Sequence, residues 1–161
     1  MEDRELIDQL VEVEARLEAF AAAGAAVHAA SYSPGKWSGA EVLGHVTDCS
    51  TVFYYRFLRA AADGADIVPF DQEVWAKGLS LRLRPVAVSM VMLRGLHAAL
   101  AHHLRTLTPE ARARTSRHVE RGPLTPLAIA TQLINHERHH AGQLDAIRGG
   151  RTWTKAEAVP Y

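Results

Sequence analysis

Residues 125–149 read TPLAIATQLINHERHHAGQLDAIRG, and this stretch decides the fold. Thr125-Pro126 is a capping residue followed by proline, and Gly149-Gly150 is a stop, so the segment reads as one long helix. At about 100° per residue from His136, Ile129 and Ile147 fall at about +20°, Leu133 at about +60° and Leu144 at about +80°. The apolar face is centred among them, and His140, at about +40°, sits in its middle. His136 and His140 therefore point into a core from adjacent turns. His139, at about −60°, is peripheral, and Glu137, at about +100°, lies on the far edge.

His136-Glu137-Arg138-His139-His140 also matches H-E-x-x-H, in which two histidines one turn apart hold a metal and the glutamate is a base. A zinc protease built on it needs a third ligand. The longer zincin pattern would place glycine at 143 and histidine at 146, where the chain has Gln143 and Ala146. No strand pattern appears to supply the sheet of such an enzyme. A di-iron carboxylate bundle needs two Glu-x-x-His motifs, and the second helix offers Glu41-x-x-x-His45, the wrong spacing. Two inward imidazoles still require polar partners. A lone inward histidine is usually a satisfied core residue, whereas a pair at i, i+4 favours a metal site.

Working outward, four long helices and no strand are expected. Leu6, Leu10, Val13, Leu17 and Phe20 share one face of a helix over about 3 to 23. Ser33-Pro34-Gly35 is a turn. Ser38 and Glu41 form a capping box that opens a second helix, with Val42, Val46, Cys49, Phe53 and Phe57 on its apolar face and Asp63-Gly64 at its end. A connection over 65–84 carries a short helix at about 71–77, anchored by Trp75. The third helix covers about 85 to 106, Thr108-Pro109-Glu110 starts an extra turn, and 115–124 is irregular. The long link between helices two and three suits a four-helix bundle in which these two run parallel. On helix two, His45 borders the apolar face and is a third candidate ligand. Three imidazoles with an open position would be a catalytic rather than a structural arrangement.

The chain has 161 residues, 48% hydrophobic, with 18 basic and 18 acidic side chains and no net charge. This size suggests a single domain over 1–150 with a tail over 151–161. The charge balance argues against nucleic acid as a partner. The single cysteine, Cys49, excludes an internal disulfide framework. Met1-Glu2-Asp3-Arg4-Glu5 is charged with no apolar h-region after it, so no signal sequence is expected, and the apolar stretch near 19–27 is too short to span a membrane. A cytoplasmic location is expected.

Several short elements together resemble the DinB-like superfamily, the DinB/YfiT-type metal-binding bundles. They are Lys36-Trp37-Ser38, Glu41-Val42-Leu43-Gly44-His45, Phe70-Asp71 through Trp75, and His136-x-x-x-His140 followed by Gly142-Gln143-Leu144. The resemblance spans nearly the whole chain. It implies an all-α four-helix bundle of up-down-down-up topology. It implies a divalent metal on His45, His136 and His140, zinc or nickel first, with iron or manganese open. It gives Glu137 no required role. Some relatives of this type are thiol S-transferases that use mycothiol or bacillithiol.

A low-molecular-weight thiol, or water, bound beside three histidine ligands would be the nucleophile toward a small-molecule substrate. Asp48, one turn from His45, is a candidate to orient an imidazole. Glu137 is a candidate to touch water or substrate, against an interhelical ion pair as its plainer role. Cys49 is a candidate soft ligand or simply a small buried side chain. Trp37 and Trp75 are candidates for the mouth of a pocket. The competing class is a metal-binding or stress-associated bundle without turnover, and either form could be a homodimer.

Overall fold

The computed structural model describes residues 3–119 and 121–161; Met1 and Glu2 of the expected N-terminal segment, and Glu120 of the expected irregular loop, lie outside it. Four long helices carry the fold: α1 (Asp3–Ala21), α3 (Gly39–Ala62), α5 (Val86–Thr106) and α7 (Pro126–Arg148). Three short ones join them: α2 (Ala25–Ala29), α4 (Gln72–Gly78) and α6 (Pro109–Ala113). The caps follow from the sequence. Ser38 accepts from Glu41 N while Glu41 returns a bond to Ser38 N, a full capping box. Asp71 caps α4, Thr108 caps α6 and Thr125 caps α7, the last two followed by proline.

Contacts between named residues set the helix directions. Glu14 and Glu18 of α1 meet His97 and Arg94 of α5, so these two run antiparallel. Gly39 of α3 lies near Ile147 of α7, and Ser50 bonds Glu137, so these two are antiparallel as well. Arg84, just before α5, binds Asp48, while His103 stacks on Tyr54, so α3 and α5 are parallel. Arg16 pairs with Asp145, and Phe20 and Ile147 both border Gly39, so α1 runs with α7. The result is an all-α, up-down-down-up bundle.

The crossover returns along the length of the bundle. Ile67 N donates to Arg117 O at one end, and Arg84 binds Asp48 and the Gly44 carbonyl at the other. One core runs through the molecule, from Leu6, Leu10, Val13, Leu17 and Phe20 through Val42, Val46 and Phe57 to Leu93, Leu100 and Leu104, ending in Ile129, Leu133 and Leu144. These are the apolar periodic positions of each helix.

Two expectations need correction, and one short helix had no sequence signal. The 115–124 segment holds a hairpin, β1 (Ser116–His118) with β2 (Gly122–Leu124). Gly122 at φ 72° supplies the left-handed backbone, and Ile67 adds a parallel bridge, a long-range pairing with no local signal. α2 has five residues, too few for a periodic pattern. Trp75 does not anchor the crossover; it is 39% exposed and meets Phe70. Ile67 and Leu81 are buried there instead, Leu81 packed beside Gly44. Among the described residues no helix is long and apolar enough to cross a membrane.

Candidate metal centre

His45, His136 and His140 come together where α3 crosses α7. One nitrogen from each ring lies within 4.8 Å of the other two, and all three side chains are buried. The antiparallel packing brings this about. α7 presents its two histidines from adjacent turns, and α3 lays His45 against both, with ring centroids 5.1 Å and 4.8 Å away.

His45 Nε2 and His136 Nε2 are 3.2 Å apart, a distance at which one ring donates to the other. It is also close to the roughly 3.3–3.4 Å that separates two nitrogens bound tetrahedrally to one zinc. His140 Nε2 is buried with no hydrogen-bond partner, while its Nδ1 bonds Gln143 Oε1 at 2.8 Å. An orphaned inward nitrogen is what a missing ligand partner leaves behind. Burial pushes His45 down to about 4 and His140 down to about 3, and holds His136 well below its ordinary value; neighbouring imidazoles add to the effect on His136 and His140. All three are therefore neutral, the form that binds a metal. The donor set fits a divalent cation and could hold one.

A cavity of about 370 Å³ opens beside the histidines, lined by His45, His140, Trp37, Lys36, Glu73 and Gln143 among others. Two turns shape its rim. Pro34 and Gly35 occupy the centre of a turn closed by Lys36 N donating to Ser33 O, with Gly35 at φ 73°, which sets Lys36 and Trp37 over the site. Asp71 starts α4 and presents Glu73 and Gln72. The segment after α7 folds back: Trp153 packs on His139, and Tyr161 meets His136 edge-on at 4.9 Å.

The other sequence candidates lie elsewhere. Asp48 orients no imidazole; Arg84 binds both its oxygens, at 2.6 and 3.2 Å. Glu137 is fully buried, accepting from Ser50 at 2.6 Å and meeting His97 at 3.1 Å, and it does not line the cavity. It is the interhelical partner of its plainer reading, so it is not placed to act as a protease base. Cys49 lies 3.6 Å from both ring nitrogens of His45, against the ring rather than pointing past it. Burial pushes its thiol up to about 12, and it is not among the three residues whose ligand atoms cluster. His139 is half-buried between Trp153 and Tyr161. Trp37 lines the cavity and Trp75 does not.

Sequence reasoning missed Gln143 and Glu73. Gln143, three residues after His140, is on the same helix face, a spacing that could have revealed it. Glu73 had no such signal, because only the folded crossover brings it to the rim.

Comparison with known proteins agrees with this architecture. YfiT from Bacillus subtilis, described as a probable metal-dependent hydrolase with an unusual four-helix bundle topology, superimposes with a TM-score of 0.82 at 23% identity, over 93% of this chain and 89% of its own. A Geobacillus kaustophilus protein, provisionally named a metal-dependent hydrolase, is 32% identical over 124 residues, 76% of this chain and 70% of its own length. A Bacillus cereus protein with the same provisional name is 36% identical over the same shares. The family model for the DinB superfamily matches residues 5–144, and the chain belongs to that superfamily.

Proposed function

We propose that this protein is a metal-dependent hydrolase of small polar molecules, with His45, His136 and His140 as the ligands of one divalent ion. The observation that carries the reading is the convergence of three neutral, buried imidazoles beside a cavity, one of them with an unpartnered nitrogen. When bound by three such ligands with a position left open, a divalent ion lowers the pKa of water, supplying a nucleophile near neutral pH. Zinc and nickel suit the donor set best, with iron and manganese as alternatives.

The rest is work for the chain. Lys36 can neutralise a negative group on a substrate, and Gln72 and Gln143 can hydrogen-bond its polar atoms. Glu73 is the carboxylate on the cavity wall and the candidate to accept a proton there. Trp37 covers His45 with ring centroids 5.1 Å apart and keeps bulk water from that side.

A second reading draws on the same site. Asp48 and Glu137 are engaged elsewhere, so they offer no base to an attacking group. That leaves Glu73 as the carboxylate beside the site, and a low-molecular-weight thiol, which ionises more readily than water, depends on it less than water does, which supports thiol S-transfer as a second reading. The experiment is metal analysis of the purified protein, then assays of ester, amide and phosphoester hydrolysis with and without added thiol. Metal-dependent turnover without thiol supports the hydrolase. Turnover only with thiol supports the transferase. Bound metal with neither activity would make the protein a binding bundle.

A further inference from the structure

Gln143 is 7% exposed and lies one turn beyond His140 on α7. Its Oε1 stands 2.8 Å from His140 Nδ1. An amide oxygen only accepts, so Nδ1 carries the hydrogen and the lone pair resides on Nε2. Nε2 is the buried nitrogen left without a partner, and so the one free to serve the three-histidine cluster. The other two rings are differently placed. His45 and His136 turn their Nε2 atoms on each other, so one of them carries a hydrogen there. Nδ1 of His136 has no partner that would hold the opposite tautomer.

We infer that Gln143 is a positioning residue that fixes the tautomer of His140, so that its Nε2 lone pair faces the metal position before an ion arrives. This rests on the reading of the three histidines as ligands. A second consequence follows from the same bond. With Oε1 committed to His140, the cavity meets the amide N–H₂ of Gln143, a donor for an oxygen atom of an occupant.

The test combines imidazole ¹H–¹⁵N correlation spectra of the metal-free protein with zinc affinity measured by chelator competition. In the wild type, His140 is expected as the Nδ1–H tautomer. Gln143→Leu is expected to lose that preference and to bind zinc about 10–100-fold more weakly. Gln143→Glu, whose carboxylate accepts the same bond, is expected to restore affinity. A wild-type His140 protonated on Nε2, or equal zinc affinity in wild type and a folded Gln143→Leu, overturns the role of Gln143 while leaving the ligand set intact. A wild type that shows the Nδ1–H tautomer but binds no zinc overturns the ligand reading instead, and the inference with it. The wild-type spectrum decides the tautomer even if Gln143→Leu does not fold.

Discussion

Nε2 of His45 and Nε2 of His136 stand 3.2 Å apart across the interface of α3 and α7, although 91 residues separate them in the chain. An ion held between them ties two helices that run in opposite directions and is absent from the unfolded state. Metal should therefore stabilise the fold by mass action, by about 2.7 kcal/mol at a free concentration 100 times the Kd. Chemical denaturation at rising zinc concentration checks this. His139→Ala should respond as the wild type does, since His139 packs between Trp153 and Tyr161. Loss of the response in that variant would contradict the assignment.

The metal-free protein should weaken in mild acid. Burial holds His45 at about 4, His140 at about 3 and His136 well below its ordinary value, whereas each would titrate near 6.5 when unfolded. The unfolded chain then binds more protons than the folded one. Stability is full above about 6.5 and falls as pH drops toward the folded values, each group contributing a slope of about 1.4 kcal/mol per pH unit. Urea unfolding of chelator-treated protein at pH 7 and pH 5 measures this. His136→Leu should show a shallower loss, and a slope equal to that of the wild type would count against it.

His97 carries the opposite sign. Burial disfavours its charge, but the carboxylates of Glu137 and Glu14 on its two nitrogens outweigh that and raise it above its ordinary value. Its contribution is present below about 6.5 and is lost as pH rises through the raised folded value. His97→Ala leaves the fully buried Glu137 with Ser50 alone and should cost about 3–5 kcal/mol at neutral pH. The same variant should lack the wild type's alkaline decline; identical decline in both would show that another group titrates.

Gly39 begins α3 against the ring of Phe20. A Cβ there would lie 2.5 Å from Phe20 Cζ and 2.6 Å from Cε2, with Ile147 Cδ1 at 3.5 Å. Gly39→Ala should destabilise by about 1–3 kcal/mol through overpacking, read from the denaturation midpoint. No change would mean that the Phe20 side chain has room to shift as a whole.

The bundle was readable because its signals are local. Ser38 with Glu41, Thr125 with Pro126, and the face from Leu6 to Phe20 announce their helices within a few residues. The inward aim of His136 and His140 followed from one helical wheel. Features that depend on distant partners were not readable. Nothing near Ile67 reveals that it bridges to His118. Asp48 looks free to serve an imidazole until the crossover brings Arg84 beside it, and Glu137 looks catalytic until His97 arrives from α5.

The central claim is that His45, far upstream, completes a site with His136 and His140. Stoichiometric zinc titration of the wild type and of His45→Ala, followed by metal analysis after gel filtration, tests it most directly. One ion retained per wild-type chain, and none by a folded His45→Ala, is the predicted result. A His45→Ala protein that keeps its ion as tightly as the wild type, or a wild type that retains no metal under any loading condition, would contradict it.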